Sequence, residues 1–282
     1  MMRTLTSIGR SSLSKFGLVL LGFVFSPNGL AKSPRHVLSL CTTATDVMLA
    51  IGGHEQLAAI DEYSRVVPGA ADIPVIAKGS ELSREEVLAQ HIDLAFIWWY
   101  QDDAAKLLGE LSVPVVRIRA GHAADLPATV RIIGRAIARE PAANRLAEDL
   151  AAFLRQQTNS VASRPRVYLE LYSRCRTVGG ESFINDLISL AGGTNIAAGV
   201  ARSSVVFSPE QLIAAEPDVI LFVNGFASPE TIAQRPGFAK LRPVNRGAVY
   251  GIERDCLVAG SRLPASVEKL RALIHRADAK EN

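Results

Sequence analysis

No apolar run in this chain is long enough to cross a membrane. The most continuous one, Phe16 to Phe25, has ten residues, about half of the roughly twenty a spanning helix needs. Cysteine is scarce as well, with only Cys41, Cys175 and Cys256 in 282 residues. No two of them are spaced C-x-x-C, so neither a zinc site nor a dithiol redox motif is supported. Three thiols allow at most one disulfide, and nothing in the spacing selects the pair. Tryptophan occurs twice, at the adjacent positions Trp98 and Trp99. His36, His54, His91, His122 and His275 are scattered, which disfavours a three-histidine metal site. The G-x-S-x-G elbow and the Walker phosphate loop are both absent. A Cys/His hydrolase, pairing Cys41 or Cys175 with His122, is the one catalytic alternative the residue types leave open.

The N-terminus accounts for the only charge imbalance. Arg3, Arg10 and Lys15 precede the apolar run, and Ser26-Pro27-Asn28-Gly29 and a small-residue exit at Ala31 follow it. This is the layout of a secretory signal peptide over residues 1–31. It holds three of the 31 basic residues and none of the 28 acidic ones, so the remainder is neutral. A neutral chain lacks the basic footprint of a nucleic-acid binder. About 250 residues remain, enough to bury a large core as one domain or as two lobes.

What the chain does have is a repeat. Ser83-Arg84-Glu85-Glu86-Val87-Leu88 and on to Phe96 aligns without a gap on Ser208-Pro209-Glu210-Gln211-Leu212-Ile213 and on to Leu221. Asp46-Val47-Met48-Leu49-Ala50-Ile51-Gly52-Gly53 aligns equally well on Asp186-Leu187-Ile188-Ser189-Leu190-Ala191-Gly192-Gly193. Two copies of a helix-strand module imply two similar lobes and a cleft between them. Apolar runs at Val37–Leu40, Ala58–Ile60, Pro74–Ile76, Leu94–Trp98, Val115–Ile118 and Val167–Leu171 read as strands alternating with helices, the pattern of a covered parallel sheet. Between the copies, Asp125 can cap a helix carrying Val130, Ile133 and Ile137. Pro141 then opens a longer one running to Val161, roughly 30 Å, as the connector. The lobes are expected at 32–122 and 164–282, with connecting helices at 123–163.

The copies also differ. Five residues lie between Leu40 and Asp46, but fourteen lie between Leu171 and Asp186. The extra residues, around Tyr172, Arg174, Cys175 and Arg176, fall after a strand, where loops of α/β sheets face the ligand crevice. Trp98-Trp99-Tyr100 ends a strand and aligns on Val223-Asn224-Gly225, so this strand end carries aromatics in the first copy where the second has none. Consecutive strand residues face opposite ways, so Trp98 and Trp99 cannot both enter one core, and at least one should line the cleft. Ser83-x-x-Glu86 and Ser208-x-x-Gln211 are capping boxes, which place Glu85 and Glu210 where the positive helix end favours an acid.

The segments Arg35–Leu40, Thr45–Gly52, Gly180–Ile188, Ala191–Asn195, Ser208–Leu212 and Pro217–Ile220 resemble the periplasmic binding proteins of ABC importers for ferric siderophores, haem and cobalamin. The resemblance covers essentially all of the mature chain. It implies an α/β fold of two Rossmann-like lobes with parallel sheets, joined by one long connecting helix (class III). It implies a periplasmic carrier rather than an enzyme, holding no intrinsic cofactor, acting as a monomer and taking a metal chelate as cargo. One glutamate per lobe, here Glu85 and Glu210, would dock on arginines of the inner-membrane permease. Cys41-Thr42-Thr43 stands where the family has a proline-containing turn, and His91-Ile92-Asp93 replaces lysine-proline-aspartate. Candidate ligand residues are Tyr63, Trp98, Trp99, Tyr100 and Tyr172 as apolar walls, the three tyrosines also as candidate iron ligands, and Arg65, Arg174, Arg176 and Arg262 to meet anionic groups.

Overall fold

The computed structural model describes residues 33–78, 81–157, 164–172 and 175–276. Strand β1 (Val37–Leu40) opens the first half, followed by α1 (Thr42–Ala50), β2 (Leu57–Asp61), β3 (Val75–Lys78) and β4 (Glu81–Leu82). Helix α2 (Arg84–Ala89), β5 (Leu94–Trp98), α3 (Asp102–Glu110) and β6 (Val115–Ile118) complete it. Two helices without an intervening strand come next, α4 (Leu126–Ala136) and α5 (Glu140–Gln156). The second half runs β7 (Arg166–Glu170), β8 (Arg176–Thr177), α6 (Phe183–Leu190), β9 (Thr194–Asn195), β10 (Val205–Val206) and α7 (Pro209–Ala214). It closes with β11 (Val219–Val223), α8 (Pro229–Ala233), α9 (Arg242–Asn245), β12 (Val249–Ile252) and α10 (Leu263–Ile274).

The first sheet has the order β4-β3-β2-β1-β5-β6, parallel except at the short edge strand β4. The second has the order β12-β11-β7-β9 and is parallel throughout. All residues of β1 and β11 are buried, as continuous apolar strands covered on both faces must be. The insertion after β7 leads into β8, which pairs antiparallel with β10 in a small separate ribbon. Both copies end their first helix alike: Gly52 and Gly192 take φ of +79° and +89°, the left-handed cap that only glycine adopts freely.

Helix α5 has 17 residues, about 26 Å at 1.5 Å per residue. It starts at Glu140, one residue before the proline the sequence pointed to, and ends at Gln156, short of Val161, which lies outside the described residues. Asp125 does not cap α4 with its side chain. A single 3-10 turn, Ala123–Asp125, precedes the helix, and the Asp125 carboxylate accepts the His122 N–H at 3.1 Å instead. One apolar cluster runs through both halves, joining Met48, Leu126 and Ile133 to Phe183, Leu187, Leu263 and Val267. The chain from Ser33 onward is one compact unit. Among the described residues no helix is long and apolar enough to cross a membrane.

Candidate functional site

In each sheet the chain winds outward from its first strand in one direction, then crosses to the other side. Ligand crevices form at such switch points, outside the carboxyl ends of the strands. In the first lobe this point lies between β1 and β5, whose ends deliver Cys41 and Trp98–Tyr100. In the second it lies between β7 and β11, whose ends deliver Tyr172 and Asn224–Phe226.

The first-lobe wall is aromatic with an acid at its base. The Trp98 and Tyr100 rings lie 6° from parallel with centroids 6.5 Å apart. With Asp61 and Tyr63 they line a cavity of about 290 Å³. Trp99 is exposed and does not line that cavity; its ring meets Tyr100 edge to face at 5.6 Å, the Arg119 guanidinium lies 5.1 Å from it, and its carbonyl accepts from Arg117 at 2.8 Å. Of the two tryptophans only Trp98 is among the residues lining the cavity. Asp61 is buried at the end of β2, where its Oδ1 accepts the Ser64 N–H at 2.9 Å and caps the short turn Glu62–Val66. Burial pushes this carboxyl above its usual 3.8, against the pull of the Ser64 hydrogen bonds.

The second-lobe wall pairs Tyr172 with Phe226, edge to face at 5.4 Å, both exposed. The aligned copies single out no aromatic at the end of β11, and Phe226 supplies one. It stands one position past the segment aligned with Trp98-Trp99-Tyr100, so an ungapped comparison stops just short of it. Tyr100 lies within electrostatic reach of Tyr172. Burial first, then Cys41, Asp61, Tyr172 and Tyr63, raise its phenol above the usual value. Arg254, just after β12, places its guanidinium 5.2 Å from the Tyr63 ring, a cation–π contact from one lobe to the other. Sequence reasoning missed Arg254 too, because no motif marks it.

The remaining arginines divide. Arg65 is exposed in the same turn as Tyr63. Arg176 is exposed and donates to the Ser204 hydroxyl at 3.2 Å. Arg174 lies outside the described residues. Arg262 is not a cation waiting for an anionic ligand. It contacts the Asp255 carboxylate at 2.8 Å, the Asp255 carbonyl at 3.1 Å and Asp46 at 3.3 Å, so two carboxylates already balance its charge. All three cysteines are free and buried. Burial raises each thiol, most strongly at Cys41, which works against the thiolate a nucleophile needs. Among the described residues no group of three His, Cys, Asp or Glu side chains is placed to hold a metal.

Glu85 and Glu210 are exposed in the first turns of α2 and α7. The Ser83 and Ser208 hydroxyls accept the Glu86 and Gln211 N–H groups, both at 3.2 Å. The reciprocal half of the box forms at Ser208, whose N–H donates to Gln211 Oε1 at 2.8 Å. At Ser83 the hydroxyl donates to Glu85 instead, at 2.9 Å. Each glutamate is held below the usual carboxylate range by its own backbone N–H first and by the neighbouring serine second. Ser228-Pro229-Glu230 repeats Ser208-Pro209-Glu210, and Glu230 is exposed and lowered in the same way, by Ser228 first. That third acid was legible in the sequence and was overlooked because it lies outside the aligned copies.

The profile of a family described as periplasmic binding protein matches residues 37–255. Among curated proteins, the vitamin B12-binding protein of Pectobacterium carotovorum subsp. carotovorum (strain PC1) is 26% identical over 207 residues, covering 71% of this chain and 74% of that protein. Among solved structures, the apo periplasmic haem-binding protein of Roseiflexus sp. RS-1 superposes with a TM-score of 0.78 at 21% identity, covering 86% of this chain and 98% of that one. The periplasmic vitamin B12-binding protein of Vibrio cholerae gives 0.72 at 21% identity, covering 87% and 98%. The fold of the chain is therefore the two-lobed class III arrangement of these structures.

Proposed function

The chain belongs to the periplasmic binding protein family, and we propose that it carries a flat macrocyclic metal chelate, of the corrin or haem kind, to an ABC permease of the inner membrane. It does so as a monomeric periplasmic carrier with no intrinsic cofactor, the chelate being its cargo. The observation that carries this reading is the pair of aromatic walls, Tyr63, Trp98 and Tyr100 on one lobe and Tyr172 and Phe226 on the other, each at the switch point of its sheet. Flat apolar rings on both sides of a crevice suit a flat ring between them. The 290 Å³ cavity is at the small end for ligand pockets, so it receives an edge of the macrocycle while the body lies between the walls. Relatives named for vitamin B12 and haem bring those two chelates forward. A corrin that brings its own axial groups asks less of these residues.

Native mass spectrometry and an absorbance scan of protein purified from its own periplasm test the reading. The expected result is a bound chelate with its visible band, reproduced by titrating the empty protein with aquocobalamin and with haemin. Trp98→Ala and Tyr172→Ala should each weaken that binding roughly tenfold, about 1.4 kcal/mol for one lost ring contact. Absence of binding by either chelate, or an affinity indifferent to both substitutions, refutes it.

A further inference from the structure

One pair of duplicated acids does a job that neither copy can do within its own lobe. Asp46 on α1 and Asp186 on α6 hold equivalent positions in the repeat. Asp46 reaches out of the first lobe: its Oδ2 accepts the Ser261 N–H at 2.6 Å, and its Oδ1 meets Arg262 Nε at 3.3 Å. Asp186 makes the converse reach: its Oδ2 accepts the Ala123 N–H at 2.9 Å and lies 3.1 Å from His122 Nδ1. In each case a carboxylate takes a backbone N–H and faces a basic side chain next to it.

The receiving segments are themselves related. Ala120-Gly121-His122-Ala123 leads into Leu126-Pro127-Ala128-Thr129-Val130, and Ala259-Gly260-Ser261-Arg262 leads into Leu263-Pro264-Ala265-Ser266-Val267. The helices they open, α4 with 11 residues and α10 with 12, pack on α1 and α6 respectively. The approach to α4, the helix that follows the first sheet, therefore receives the aspartate of the second lobe, and the approach to α10 receives that of the first. Backbone N–H groups near a helix start carry partial positive charge and favour a carboxylate. Gly260 supplies a second observation. Its φ is not in the left-handed region, yet a Cβ there would collide with the Asp46 carboxylate. The glycine is required by the close approach of Asp46, not by the turn. At Gly121 the only neighbour a Cβ would meet is Asp125, at an ordinary 4.0 Å.

We infer that Asp46 and Asp186 are a pseudo-symmetric pair of interlobe clamps, positioning residues that set the angle between the lobes and with it the spacing of the two aromatic walls. They flank the apolar cluster common to both lobes, in which Leu126, Phe183, Leu187 and Leu263 meet. Apolar packing resists separation but tolerates rotation of one face on another, whereas a hydrogen bond at each side fixes the rotation as well. The inference concerns the empty protein and stands whatever cargo is carried.

Spin labels borne by non-natural residues at exposed Leu88 and Val206, one per lobe, read the angle by pulsed EPR. The parent protein should give one narrow distance. Asp46→Ala combined with Asp186→Ala should lose that narrow distance. Gly260→Ala should lose it too, with both charges intact, while Gly121→Ala should keep it. Leu108→Ala, in the outer core of the first lobe and remote from the clamps, controls for general destabilisation and should keep the narrow distance despite a lower melting temperature. An unchanged distance in the double variant, equal loss in Leu108→Ala, or no difference between Gly260→Ala and Gly121→Ala would each overturn the inference.

Discussion

Asp61 illustrates how burial and function share a residue. It caps a turn through the Ser64 N–H and also lines the aromatic cavity. Its carboxyl is raised by burial, so between the unfolded value near 3.8 and its folded value the native state binds more protons than the unfolded chain. Stability then falls as pH rises through that window, and the full penalty is present above it. Asp61→Asn keeps the capping oxygen and removes the charge. It should raise the melting temperature at neutral pH, with the gain vanishing as pH approaches 4, near the unfolded value; a gain independent of pH would contradict the assignment. The repeated acids separate at this scale too. Asp93 accepts the Arg35 and His36 N–H groups at 2.8 and 3.1 Å, and Asp218 accepts the Arg166 N–H at 2.8 Å. Those two tie the entry of the first strand within their own lobe. Matching positions of the repeat thus conceal three roles: one internal pair, one pair across the lobes, and one exposed pair.

At the scale of elements, local rules were the most legible. Ser83 and Ser208 cap their helices, Gly52 and Gly192 end theirs, and Pro141 opens the connector, because each depends only on neighbours along the chain. Asp125 occupies the N-cap position of α4 without capping it, because one intervening 3-10 turn redirects its carboxylate, a choice made by the path of the loop. The α4–α5 contact was not legible at all. Gly134 on α4 lies against Ala143 on α5, where an added Cβ would collide with that of Ala143. Alanine is the better helix former by about 1 kcal/mol, but overpacking a close helix crossing costs about 1–3 kcal/mol. Gly134→Ala should therefore destabilise, lowering the melting temperature by roughly 2–4 °C per kcal/mol lost. A rise on thermal melting would mean that propensity outweighs packing here.

At the scale of the whole molecule, the apolar cluster joining the lobes predicts cooperativity. Calorimetry should give one unfolding transition, not two, since neither half can expose its share of Phe183, Leu187, Leu126 and Leu263 alone. Docking belongs to this scale as well. Glu85→Lys with Glu210→Lys should leave chelate affinity intact and stop uptake, while Glu230→Lys should leave uptake normal. Normal uptake in the first variant sinks the assignment of that pair, and loss of uptake in the second extends the rim to a third acid.

The sequence by itself determined the two-lobed α/β architecture, since a duplicated helix-strand module with continuous apolar strands has few other ways to bury its faces. It also located Trp98, Tyr100 and Tyr172 at strand ends, since strand boundaries follow from local pattern. Only the tertiary structure decided which groups meet across the lobes. Arg254 on Tyr63, Arg262 on Asp46, and the Ala123 N–H on Asp186 join positions far apart along the chain. Such meetings depend on the angle at which two lobes come to rest, a property of the packed core that no local spacing encodes.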